Sequence, residues 1–168
     1  MPEIPLSASI DPDRLAPEPS DPAVSDVMRD EVVFCLPSTP ADAIAKLMAD
    51  NDLVELPVLL DRRPVGYVTA ADVLARLALG QIVVAGSDFA VRPPDTEVQA
   101  RHLLRTPPLL VDERQRVAEV IAVMARQERT VALVMHEDET PVGMLTPTEV
   151  GAYAASRAAQ GAIALEAG

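Results

Sequence analysis

Aromatic residues are nearly missing from this sequence: there is no tryptophan, and Phe34, Phe89, Tyr67 and Tyr153 are the full set. Any core must therefore be built from Val, Leu, Ile, Ala and Met, and a hydrophobic fraction of 49% supplies them in quantity. That fraction excludes wholesale disorder. The shortage of aromatic platforms, with a net charge of −12, excludes nucleic acid as a partner, because an acidic chain repels a phosphate backbone. One cysteine, Cys35, excludes an intrachain disulfide and a cysteine-rich zinc site. Inside the apolar run 32–36 it reads as a small buried hydrophobe. His102 and His136 have no metal-ligand spacing with each other or with Cys35. Serine–histidine–aspartate patterns, glycine-rich phosphate loops and strand-borne carboxylate pairs are absent, so no enzyme is expected and no catalytic residue is assigned.

Long hydrophobic runs are also missing. The stretch 77–85 is interrupted by Gly80 and Gln81 and is too short to cross a bilayer. Met1-Pro2-Glu3-Ile4-Pro5 lacks the basic and apolar segments of a signal peptide. The expectation is a soluble, cytoplasmic protein with no membrane partner.

What the chain does have is a duplication. Pro64-Val65-Gly66-Tyr67-Val68-Thr69-Ala70-Ala71-Asp72 recurs as Pro141-Val142-Gly143-Met144-Leu145-Thr146-Pro147-Thr148-Glu149, 77 positions on. A short strand runs into a threonine, and a helix follows with a carboxylate three residues later. One unit written twice predicts two copies of one domain.

Residues 1–23 carry prolines at 2, 5, 12, 17, 19 and 22 with acids between them, an extended N-terminal arm. A helical turn is expected at 24–28 and a buried strand at 32–36. Ser38-Thr39-Pro40 is expected to open a helix, with a hydroxyl at the N-cap and proline at the first helical position. Ala41, Ile44, Leu47 and Met48 form its apolar stripe. Strands at 53–60 and 66–69, then a helix from Ala70 to about Gly80, complete a β-α-β-β-α unit at 24–80. A linker covers 81–96. The second unit, 97–159, repeats the order: strand at 109–111, stripe Val117, Val120, Ile121 and Met124, strands at 131–135 and 142–145. Its last helix opens at Thr146-Pro147 and fades into a tail at 160–168. The predicted fold class is α+β, two such repeats packed about a pseudo-two-fold axis so that each covers the other's apolar face. The junctions between repeats are where a small ligand is expected.

Thr69-x-x-Asp72 has two chemical readings. A hydroxyl at a helix N-terminus suits a phosphate or hydroxyl, and a carboxylate accepts two hydrogen bonds from the adjacent hydroxyls of a ribose. Ser/Thr followed three residues later by an acid is equally a helix cap, and Thr146-Pro147-Thr148-Glu149 is a nearly ideal one.

The succession Val27-Met28, 32–36, Thr39-Pro40, Leu47-Met48, Leu56-Pro57-Val58 and Val65-Gly66-Tyr67-Val68-Thr69-x-x-Asp72 resembles the CBS domain, named for cystathionine β-synthase. Two copies resemble a Bateman module over roughly 24–159. The resemblance implies a regulatory sensor that binds an adenosine-based ligand such as AMP, ATP, adenosine or S-adenosylmethionine between the repeats, with no other cofactor and no metal. It implies a homodimer and a regulated partner protein. Asp72 is then the ribose carboxylate of a first cleft with Thr69 beside it and Pro107, Leu109, Arg129 and Thr130 around the base. In a weaker second cleft Thr146 and Glu149 take these parts, walled by Glu31, Val33, Leu53 and Val54. Three departures stand out: Glu149 replaces the usual aspartate, Ala132-Leu133-Val134 lacks a proline matching Pro57, and Glu55 stands where a basic residue meets phosphate. Glu55 and Glu31 are expected near the cleft mouths, opposing phosphate-rich ligands, with Arg62, Arg63, Arg105, Arg126 and Arg129 as compensating charges. The alternative function is a structural or interaction module, a dimerisation unit with no physiological ligand.

Overall fold

The computed structural model describes residues 21–81 and 98–166. The arm up to residue 20 and the connection at 82–97 lie outside them. The first repeat holds α1 (Ala41–Asp50), β1 (Glu55–Leu60), β2 (Arg63–Thr69) and α2 (Ala70–Gln81). The second holds α3 (Ala100–Leu103), β3 (Leu110–Asp112), α4 (Val117–Arg126), β4 (Ala132–Met135), β5 (Pro141–Leu145) and α5 (Pro147–Glu166). β1 and β2 form an antiparallel hairpin, turned by Asp61 and Arg62 at φ of 49° and 66°. β4 pairs parallel with β3 and antiparallel with β5. The result is an α+β fold of two repeats about a pseudo-two-fold axis, the first with a two-stranded sheet and the second with a three-stranded one.

Three sequence expectations are corrected. Residues 32–36 do not form a strand; a single parallel bridge joins Cys35 to Val58. The reason is Pro57. In the second repeat Leu133 N–H donates to Leu109 O at 2.9 Å and starts the β3–β4 ladder. Pro57 occupies the matching place and has no N–H to give. Only its carbonyl pairs, accepting Cys35 N–H at 3.0 Å, before Leu59 N–H reaches Cys35 O at 3.0 Å. Second, α1 starts at Ala41 with Pro40 as N-cap and no side-chain cap bond; the Thr39 hydroxyl instead accepts Leu36 N–H at 2.9 Å. Third, α5 does not fade at Gln160 but runs to Glu166.

β4 and β5 of the second sheet are covered on both faces, and strand alternation shares them between two cores. Val131, Leu133 and Met144 face a core with Ile44, Leu56, Val58 and Val68 of the first repeat. Ala132, Val134 and Leu145 face the other, with Val117, Val120 and Met124 on the α4 stripe. Cys35 is buried in the first core, where desolvation pushes its thiol up to about 12.

The segments that lead into each repeat are exchanged. The turn at Val24–Asp26 places Val24 in the second core, with Val27 and Met28 packed on it. α3 places Ala100 in the first core, with Leu103 and Leu104 packed on it. Each segment then crosses a strand of the opposite repeat: Arg29 exchanges two backbone hydrogen bonds with Met144, both 3.0 Å, and Arg105 exchanges two with Tyr67, 2.9 and 2.8 Å. The crossings require glycine beneath. A Cβ on Gly66 would lie 2.6 Å from Leu104 Cδ1 and collide with the Arg105 carbonyl oxygen, and one on Gly143 would lie 2.6 Å from the Arg29 oxygen. The last arm residues are pinned by the same packing. Asp21 accepts Tyr153 O–H at 2.6 Å and Ala118 N–H at 3.0 Å, so it caps the start of α4, whose N-cap residue Arg116 makes no side-chain cap bond and instead donates from Nη1 to Asp21 O at 2.7 Å.

Candidate functional site

The first junction is assembled where β2 turns into α2. Thr69 precedes the first helical residue. Its hydroxyl accepts Asp72 N–H at 3.2 Å and donates to Asp72 Oδ2 at 2.7 Å. The cap is therefore real, but it leaves the carboxylate available to a second partner. That partner is Arg105 from the opposite repeat: Nε reaches Oδ2 at 2.6 Å and Nη2 reaches Oδ1 at 2.8 Å. The guanidinium hydrogen bonds hold the Asp72 carboxyl below its ordinary value.

Beside this pair lies a second arginine in a different state. Arg129 Nε donates to Glu55 Oε1 at 2.7 Å, Nη2 donates to the same oxygen, and Nη1 donates to Pro107 O at 3.1 Å. Its guanidinium carbon lies 3.6 Å from the centroid of the Tyr67 ring. The other Glu55 oxygen accepts Thr130 N–H at 3.2 Å and Thr130 O–H at 3.3 Å. Side-chain exposure is 9% for Arg129 and 6% for Glu55. The expectation that Glu55 opposes phosphate at a cleft mouth is thereby corrected: its charge is buried and neutralised by Arg129.

Of the residues assigned to the first cleft, Thr69 and Asp72 fall in one bonded set with Arg105, and Pro107, Arg129 and Thr130 in another with Glu55; the two sets meet at Tyr67. Leu109 is not, because its side chain is buried in the second core. Glu55 as a partner of Arg129, Tyr67 as the stacking surface and Arg105 as the partner of Asp72 were missed as site residues. A signal existed for Arg105: it stands one repeat after Arg29, just as Asp72 stands one repeat before Glu149.

The second junction repeats the plan with weaker means. Thr146 N–H donates to Glu149 Oε2 at 3.0 Å, and the Thr146 hydroxyl bonds the same oxygen. Arg29 Nε donates to Glu149 Oε1 at 3.2 Å, a single bond where Arg105 makes two. Burial opposes the ionised form of Glu149, yet the Thr146 and Arg29 hydrogen bonds outweigh it and hold the carboxyl below its ordinary 4.5. Val33 N–H points at Met144 Sδ, 3.1 Å away. The remaining wall residues are scattered. Glu31 is exposed, Leu53 is buried in the first core, and Val54, also exposed, accepts Ala70 N–H at 2.8 Å. A cavity of about 550 Å³ between residues 22–27 and the first turns of α5 takes in Glu149, Thr148 and Tyr153.

Among the described residues no His, Cys, Asp and Glu cluster could hold a metal. Nor is any described helix long and apolar enough to cross a membrane.

Duplicated units with exchanged leading segments, and an acid–arginine pair at each junction, define a tandem-repeat module. A CBS-domain profile matches residues 24–79 and 100–153, and the chain belongs to the CBS-domain family. Solved structures with this fold include CBSX2 in complex with AMP, at 22% identity and TM-score 0.63, covering 80% of this chain and 97% of that one. The CBS domain pair of protein MJ0100, in complex with 5-methylthioadenosine and S-adenosyl-L-methionine, matches at 15% and 0.63, covering 80% and 97%. A putative acetoin utilization protein from Vibrio cholerae matches at 17% and 0.64, covering 80% and 90%. No curated protein sequence matches at a significant level.

Proposed function

We propose that this chain is a regulatory sensor that binds an adenosine-containing metabolite at the junction of Thr69 and Asp72 and reports it to a partner protein. The observation that carries this reading is the placement of Asp72: an ionised carboxylate at the start of α2, on the seam between repeats, with the Thr69 hydroxyl beside it. Its acceptors suit a ribose diol. Support comes from the solved CBS pairs that hold AMP, or 5-methylthioadenosine and S-adenosyl-L-methionine. The sensor is cytoplasmic and works as a homodimer, not as a catalyst. The second junction is the weaker site, because glutamate is one methylene longer and folds back onto its own cap.

A thermal-shift screen with AMP, ATP, adenosine and S-adenosylmethionine tests this. Ligand at a hundred times its Kd adds about 2.7 kcal/mol, which raises the midpoint of a chain this size by about 5–10 °C. With the best ligand, titration of Asp72→Ala is expected to show binding weakened by about 30- to 1000-fold. Glu149→Ala is expected to cost about 1 kcal/mol of stability and leave binding in place. The reverse pattern would assign the site to the second junction. The second reading, an interaction module without a ligand, is favoured by one observation: both carboxylates already have arginine partners. A flat screen would decide for it.

A further inference from the structure

We infer that Arg105 is the phosphate-recognising side chain of the first site, held on Asp72 until a ligand takes its place. The inference rests on the adenosine-ligand reading above and adds the chemical group that the site selects.

The site contains two arginines, and they differ in what they are free to do. Arg129 is fixed: all three guanidinium nitrogens are engaged with Glu55 or Pro107, its central carbon sits over the Tyr67 ring, and its side chain is 9% exposed. Arg105 is held at one end only. Its backbone is clamped by the two hydrogen bonds to Tyr67, but its side chain is 53% exposed and bonds Asp72 alone among the contacts described for it. Water reaches the pair on the arginine side, so the guanidinium can be exchanged for another partner.

Asp72 cannot serve a ribose and keep this partner. Nε and Nη2 occupy one lone pair on each oxygen, and the Thr69 hydroxyl takes another on Oδ2. A ribose diol brings two more donors to the same two atoms, where one lone pair is left, so an existing bond must be given up, and the solvent-exposed guanidinium is the partner that yields. A nucleoside that does this leaves a cation without its anion. A nucleoside monophosphate supplies the replacement, since a phosphate accepts a planar guanidinium through two parallel bonds. The pinned backbone at Arg105 keeps the released side chain within reach of the site mouth. Ligands with a neutral or cationic 5′ group gain nothing from the exchange. The site is thereby a discriminator of the phosphorylated ligand from its nucleoside.

Titration calorimetry on the full chain, with AMP and adenosine as probes, tests this in wild type, Arg105→Ala and Arg105→Lys. Wild type is expected to prefer AMP by about tenfold or more, the effect of one charge-assisted contact. Arg105→Ala is expected to lose that preference to within about threefold while binding adenosine at least as tightly as wild type, because the competitor for Asp72 is gone. Arg105→Lys, which keeps the charge but not the fork, is expected to fall between them. An unfolding midpoint within about 2 °C of wild type shows that Arg105→Ala still folds. Retention of the AMP preference in Arg105→Ala overturns the inference, as does parallel weakening of both ligands. Equal binding of the two probes to wild type overturns it while leaving the adenosine reading intact. Binding of neither probe to any form overturns both.

Discussion

Arg129 places its guanidinium carbon over the Tyr67 ring, 3.6 Å from the centroid, and neutralises a glutamate 74 positions earlier in the chain. This contact joins the repeats through a buried ion pair, and buried pairs respond asymmetrically to mutation. Removing one member strands a charge in a low-dielectric site, whereas removing both does not.

Arg129→Ala is therefore expected to destabilise the fold by about 3–5 kcal/mol. The double variant Glu55→Leu with Arg129→Met should recover most of that loss. Urea unfolding of the three proteins checks it; a double variant as unstable as the single one would refute the account.

The three described glycines with close or open surroundings should behave in opposite ways. Gly66→Ala drives a Cβ into the Arg105 carbonyl and the Leu104 side chain, and Gly143→Ala drives one into Met28 and the Arg29 carbonyl. Each should cost about 1–3 kcal/mol, the usual range for overpacking. Gly151 in α5 has nothing within 4 Å of its Cβ position, and Gly151→Ala should stabilise by about 0.5–1 kcal/mol through helix propensity. Thermal unfolding midpoints give the three signs directly.

Stability should also depend on Glu149 at low pH. Its folded-state value is depressed below the ordinary 4.5, so its contribution is complete above that pH and is lost as pH falls through the folded value. Wild type should lose more of its unfolding midpoint between pH 6 and pH 3 than Glu149→Gln does. Equal losses would mean that the Thr146 and Arg29 bonds do not favour the ionised form.

Assembly is expected through the helices that follow the two threonines. On α2, Leu74 is 62% exposed beside the exposed small residues Ala71, Ala75 and Ala78, and α5 exposes Ala154, Ala155 and Ala158. Small residues let helices approach closely, and an exposed leucine among them gains by being covered. Light scattering at micromolar concentration should return a dimer mass for wild type and a monomer mass for Leu74→Asp. A monomeric wild type would remove this interface.

The amino-acid sequence by itself determined the duplication, the order of elements apart from the strand expected at 32–36, and the helix starts capped by Thr69 and Thr146. Those signals are local. A strand alternates every second residue, a helical stripe returns every third or fourth, and Thr69–Asp72 and Thr146–Glu149 are each three residues apart. Pro57 stands in plain view, yet the sequence predicts a strand at 32–36, where its missing N–H leaves a single bridge. The partners of the junction carboxylates were not legible. Arg105 meets Asp72 across 33 positions, Arg129 meets Glu55 across 74, and Arg29 meets Glu149 across 120. Nothing in the local pattern of an exposed-looking arginine distinguishes one that stacks on Tyr67 from one that stays in water. Tertiary structure decided it, because the segments leading into each repeat pack on the opposite core and carry Arg29 and Arg105 across Gly143 and Gly66. The charge at a junction is thus set by which faces meet, a property of the packed pair that neither repeat holds alone.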